Sequence, residues 1–115
     1  MIGNSEDGYT YISKNGGGSS AYDYEPGRYK SPEEFYKSAK GKRYKDSYTY
    51  TTTYGTAQTV INESFKSACG DYTLPNNNCM RTVMDGLYKA NLTKMNPRGL
   101  WGIQPNRIFM GLISE

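Results

Sequence analysis

The hydrophobic pattern of this chain changes period near its middle. Before residue 55 the apolar positions alternate or scatter, and from Thr56 onward they recur every three to four residues. Residues 8–13, GYTYIS, are rich in Tyr, Thr and Ile and follow the turn-forming GNSEDG, which predicts a strand. Met1 and Ile2 then read as the tail of a preceding strand, with GNSEDG as the hairpin loop. KNGGGSS, three consecutive glycines in a polar setting, predicts a loop. The tract through AYDYEPGRY is expected to stay irregular.

SPEEFYKSAKGK carries a helix start: Ser31 as cap, Pro32 at the first helical position and Glu34 three residues after the cap, with Gly41 as the stop. RYKDSYTYTTTY alternates and is rich in β-formers, predicting a strand near residues 46–53. Beyond it Ala57, Val60, Ile61, Ser64, Phe65 and Ala68 fall on one helical face, and Gly70 marks that helix's end. The loop DYTLPNNN leads to a second helix from near Cys79, whose stripe runs through Met80, Val83, Met84, Leu87 and Tyr88, with Asn78 as its N-cap. The tail holds two prolines, the single tryptophan and an apolar run expected to form a short closing helix. Strand, helix, strand, helix, helix, without an internal repeat, predicts one α+β domain over residues 1–115.

Composition sharpens this picture. Of the 115 residues 36% are hydrophobic, and ten of the twelve tyrosines precede residue 55. Three of the eighteen Ile, Leu, Val and Met side chains lie in that same stretch. The front half must therefore bury tyrosine rings on a sheet, while the back half carries an aliphatic core. Net charge is +3, too mild to call for a nucleic-acid partner. Five positive charges between Lys37 and Lys45 interleave with tyrosines as in a grip on single-stranded nucleic acid, yet they read first as a solvated helix end and loop. No apolar run approaches the roughly 18 residues of a membrane span, and the first residues lack the basic-then-apolar pattern of a secretory signal. With no histidine and two cysteines ten residues apart, no metal site is expected, and no cofactor is implied.

The candidate chemistry sits at NNNC. A thiol on the first turn of a helix faces unsatisfied amides and the positive end of the helix dipole, which favour the thiolate and can stabilise an oxyanion. Cys79 therefore reads either as a nucleophile or as an ordinary buried thiol. A Cys69–Cys79 disulfide is a third possibility that the spacing permits.

YTLPNNNCMRTVMDGL resembles the tyrosine, short loop, asparagine–cysteine and helix segment of the circularly permuted NlpC-type papain-like hydrolases. It is most similar to the toxin-type domains at the C-termini of Rhs-repeat polymorphic toxins. MIGNSEDGYTYISKNGG, KSPEEFYKS, YTYTTT and the late QPN follow the same layout. The resemblance implies a papain-like small antiparallel sheet packed with helices, and an amidase- or peptidase-type cysteine hydrolase with Cys79 as nucleophile. It implies Ser13 as the polar residue that orients the base, with Tyr11 as an alternate, and Asn77 and Asn78 as groups that polarise a carbonyl. The family's histidine would fall just upstream of Met1. The expectation is thus a domain with its front strand truncated, the C-terminal part of a longer exported protein, inactive as this chain alone. Implied partners are a peptide, peptidoglycan or acyl-amide substrate and a cognate immunity protein; a degenerate copy that binds peptide or protein without catalysis is the alternative.

Overall fold

The computed structural model describes residues 1–14, 22–69 and 79–94, with Cys79 and Met80 described by their backbone alone. It is a small α+β fold: an antiparallel sheet of three strands in the order β1-β2-β3, packed with helices. The strands are β1 (Ile2–Asn4), β2 (Gly8–Lys14) and β3 (Tyr22–Tyr29); the helices are α1 (Pro32–Lys37), α2 (Tyr54–Ala68) and α3 (Cys79–Lys89), with a 3-10 turn at Gly41–Arg43.

The β1–β2 hairpin forms as the turn chemistry predicts. Asn4 Oδ1 accepts from the amides of Glu6 (3.0 Å) and Asp7 (2.7 Å), so the loop closes on its own side chain. Gly8 leaves the loop at φ 84, a conformation costly for any residue with a Cβ.

β3 occupies the tract expected to be irregular. Pro26 and Gly27 argue against a central strand, but β3 is at the edge and carries a bulge. Tyr9 pairs with Tyr29 and Tyr11 with Glu25, so two steps on β2 oppose four on β3. The bulge is fixed by Gly27, at φ 60, whose amide donates to Thr10 Oγ1 at 3.0 Å. A local kink, rather than a break, reconciles Pro-Gly with the ladder.

The strand expected at 46–53 does not form. Residues 44–53 lack a ladder partner among the described residues and are exposed except for half-buried Tyr50. Alternating Tyr and Thr favour extended backbone, but extended backbone becomes a strand only beside a free edge. α2 begins two residues earlier than the apolar stripe suggests, because Thr53 caps it by accepting from the Thr56 amide at 3.2 Å.

α1 starts as predicted, with Ser31 Oγ accepting from the Glu34 amide at 3.2 Å. The Glu34 carboxylate reaches back to the Lys30 amide at 2.7 Å, one residue before the cap. The helix stops at Lys37, short of Gly41. Ser38 turns the chain by donating its hydroxyl to Phe35 O and accepting from the Gly41 amide. Gly41 then lies directly on α1: a Cβ there would stand 1.9 Å from Phe35 O and 2.8 Å from Tyr36 Cα.

The register divides the sheet into two faces. Ile12 pairs with Tyr24 and Lys14 with Tyr22, and these tyrosines pack on Phe65 of α2 with centroids 4.7 and 5.7 Å away. Tyr11 belongs to the opposite face. There it stacks on Phe35 at 4.9 Å, and Tyr29 meets the same ring edge-on at 5.2 Å. Tyr11, Tyr29 and Phe35 form a buried aromatic core, with Met1 and Tyr9 packed against it. The front half thus buries tyrosine as its composition requires.

α3 packs along α2 and reaches β2. In α2 the buried positions are Val60, Ser64 and Ala68, while Ala57, Ile61 and Phe65 of the same stripe are half-buried. In α3 Thr82, Met84 and Gly86 are buried, and Val83, placed on the apolar stripe by its spacing, is 44% exposed. The helix ends on Asn91 at φ 61, with the Leu92 amide bonded to Leu87 O at 2.9 Å, a Schellman-type cap with asparagine in the left-handed position.

Candidate functional site

Cys79 is the first residue of α3, the position its sequence predicts. The first-turn amides of such a helix have no intrahelical acceptors, and they point toward the N-terminal end where the cysteine sits. Asn77 and Asn78 lie outside the described residues.

Ser13 and Tyr11 share a sheet face, but it is the face toward α1. Ser13 Oγ donates to Asp23 Oδ2 at 3.5 Å, and Tyr11 shares a hydroxyl–hydroxyl bond of 2.8 Å with Tyr44. Tyr11 is packing core as well as hydrogen-bond partner, with its ring buried against Phe35. The structure brings these two residues to each other and not to the face on which α2 packs. The residues of β2 and β3 turned toward α2 are Ile12, Lys14, Tyr22 and Tyr24.

Lys14 is the chemically distinctive member of that set. It is 3% exposed, and its ammonium donates to Ala68 O at 2.8 Å, a carbonyl at the end of α2. A cation there satisfies a carbonyl that the helix leaves without an amide and complements the negative end of the dipole. Cys69, the next residue, is a free and exposed thiol. Its hydrogen bond with the Tyr22 hydroxyl, its charge and some desolvation raise the phenol above its ordinary 10.0.

A second polar cluster, which sequence reasoning missed, lies on the α1 face. Lys40 reaches Glu25 at 3.2 Å and Asp23 at 3.7 Å, and its ammonium stands 5.1 Å from the Tyr11 ring centroid. Arg28 also pairs with Glu25. Burial raises the Glu25 pKa, but Lys40 and Arg28 outweigh it and hold the carboxyl below its usual 4.5. Burial likewise lowers Lys40, and the bond to Glu25 with the charge of Asp23 outweighs it, leaving the ammonium above 10.5. The cluster pins the turn after α1 to the edge strand. Its only sequence signal was the alternation of Asp23 and Glu25 on a strand that the Pro-Gly pair concealed.

Among the described residues no group of three or more His, Cys, Asp or Glu side chains is placed to hold a metal ion, and no helix is long and apolar enough to cross a membrane. The molecule is thus a small α+β domain with a three-stranded antiparallel sheet and a cysteine at the start of a helix. No protein-family model, curated protein or solved structure matches the chain.

Proposed function

We propose that the chain is a papain-like cysteine hydrolase domain of effector or toxin type, with Cys79 as nucleophile toward an amide or related acyl bond. The observation that carries the reading is Cys79 as the first residue of α3. In the reaction the thiolate adds to the carbonyl carbon, and the first-turn amides of the helix stabilise the oxyanion. Collapse expels the amine, which takes up a proton, and water then cleaves the thioester to return the thiol. These 115 residues contain no histidine, so the reading requires a proton-transfer group that this chain does not supply as imidazole. Ser13 would serve such a group only from the α1 face of the sheet, so the proposal rests on Cys79 rather than on the pair.

The second reading, a copy that binds peptide or protein without catalysis, is favoured by that same absence of histidine. Alkylation separates the two. In a Cys69→Ser background Cys79 is the sole thiol, and its rate of reaction with iodoacetamide is measured against pH. An activated nucleophile titrates well below the ordinary value of about 8.5. A midpoint at about 8.5 or above sinks the hydrolase reading and leaves the binding module. For the native protein, the hydrolase reading also requires a histidine encoded within about ten residues ahead of Met1, one strand's length.

A further inference from the structure

Residues 36–48 hold five of the chain's fourteen Lys and Arg side chains and one of its eleven acids, so the rest of the molecule is net negative by one charge. Four of these cations stand on one short platform of backbone: Lys37 in the last turn of α1, Lys42 and Arg43 in the 3-10 turn, and Lys45 just after it. Gly41, lacking a Cβ, lets the 3-10 turn lie against the last turn of α1 at Phe35 and Tyr36, and the Lys42 amide donates to Ser38 O at 3.0 Å, so the backbone that carries Lys42 and Arg43 folds back on the end of the helix that carries Tyr36 and Lys37. Lys37, Lys42, Arg43 and Lys45 are exposed, and none has an acidic partner within ion-pair distance among the described residues. Lys40, the fifth cation, faces inward to Glu25 and Asp23 and anchors the turn.

Two rings complete the surface. Tyr36 is 38% and Tyr44 48% exposed, and both flank the buried Phe35 ring, at 5.5 and 5.8 Å. The hydroxyl of Tyr44 is tied to Tyr11, so its ring is held in place while part of it meets solvent.

We propose that this platform binds single-stranded nucleic acid, with phosphates on Lys37, Lys42, Arg43 and Lys45 and bases stacked on Tyr36 and Tyr44. Unpaired cations interleaved with exposed aromatic rings are the combination that grips a single strand without reading its sequence. An acidic protein fits the charge less well, because three of the four cations are lysines, which protein interfaces avoid and phosphate sites use. The inference is independent of the hydrolase reading, since no residue of the platform belongs to the Cys79 site.

The test is fluorescence anisotropy of a labelled mixed-sequence oligonucleotide of about twelve residues, titrated with the full chain from about 50 to 200 mM salt. Four phosphate contacts on a single strand predict a slope of log K against log salt near −3, at about −0.7 per contact. The variant Lys42→Ser/Arg43→Ser/Lys45→Ser, whose side chains have no ion-pair partners among the described residues, should bring the slope to about −1. Tyr36→Ser should weaken oligonucleotide binding about fivefold or more while leaving the far-ultraviolet circular dichroism unchanged. Three results would overturn the proposal: no saturable binding at about 50 mM salt, a slope unchanged in the triple variant, or poly-glutamate bound as tightly as the oligonucleotide with no loss in Tyr36→Ser. The last would assign the platform to an acidic protein surface instead.

Discussion

Gly86→Ala sets helix propensity against packing, and the structure decides which wins. Alanine in place of glycine inside a helix ordinarily gains about 1 kcal/mol, and Gly86 is interior to α3. A Cβ on Gly86, however, would stand 2.0 Å from Ser64 Oγ, 3.1 Å from Val60 O and 3.2 Å from Val60 Cγ1. The Val60 carbonyl is part of the α2 backbone and cannot rotate away, and Ser64 is 4% exposed, which leaves its hydroxyl little room. Overpacking of this kind costs about 1–3 kcal/mol. With two of the three contacts on a rigid or enclosed neighbour, the upper part of that range applies, and the net loss after the propensity gain is about 1–2 kcal/mol. For a domain of this size that lowers the midpoint of thermal unfolding by roughly 5–10 °C. Urea unfolding followed by far-ultraviolet circular dichroism measures the change directly, with an unchanged m-value showing that the denatured state is not involved. A double-mutant cycle with Ser64→Ala isolates the hydroxyl overlap, and the pair should recover about 1 kcal/mol relative to the sum of the singles. A neutral or stabilising Gly86→Ala, or additivity in the cycle, would refute the close approach of α2 and α3 that fixes where the helix of Cys79 sits.

Phe35→Ala should be the most damaging single truncation in the front half. The ring is 2% exposed, and the rings of Tyr11, Tyr29, Tyr36 and Tyr44 surround it. The expected loss is about 3–5 kcal/mol in chemical unfolding, and one below about 1 kcal/mol would show that this cluster is not the core. The Lys40 clamp predicts a pH dependence at both ends. A carboxyl held below 4.5, as in Glu25, contributes fully above that pH and loses its contribution as pH falls through the folded value. An ammonium held above 10.5, as in Lys40, contributes fully below that pH and loses its contribution as pH rises through the folded value. Between these limits Lys40→Met should lower the melting temperature, and the difference from the parent should shrink as pH falls below 4.5. A difference that stays constant from about pH 6 to pH 3 would exclude the clamp.

The features legible beforehand are those whose information lies within one turn of chain. Ser31, Pro32 and Glu34 announce the start of α1, Asn4 and Gly8 close the first hairpin, and the spacing of Val60, Ser64 and Ala68 announces the buried side of α2. Cys79 at the start of α3 belongs to the same group. β3 was hidden because Pro26 and Gly27 break strand propensity locally, while the bulge that accommodates them depends on Thr10, sixteen residues before Pro26. The strand read at 46–53 failed in the opposite way: its local propensity is high, but propensity does not supply a neighbouring edge.

By itself the sequence determined the α+β class, the burial of tyrosine in the front half, the Ser31 cap of α1 and the cysteine at a helix start. Tertiary structure alone decided that Ser13 and Tyr11 face α1, that Lys14 meets the end of α2, that Lys40 is held by Glu25 and Asp23, and that Lys37, Lys42, Arg43 and Lys45 have no acidic partner among the described residues. The physical reason is register. Hydrogen bonds within a turn couple residues three or four apart and leave a local signature, whereas the face a strand residue shows is set by pairing with distant segments, and a shift of one residue reverses every side chain.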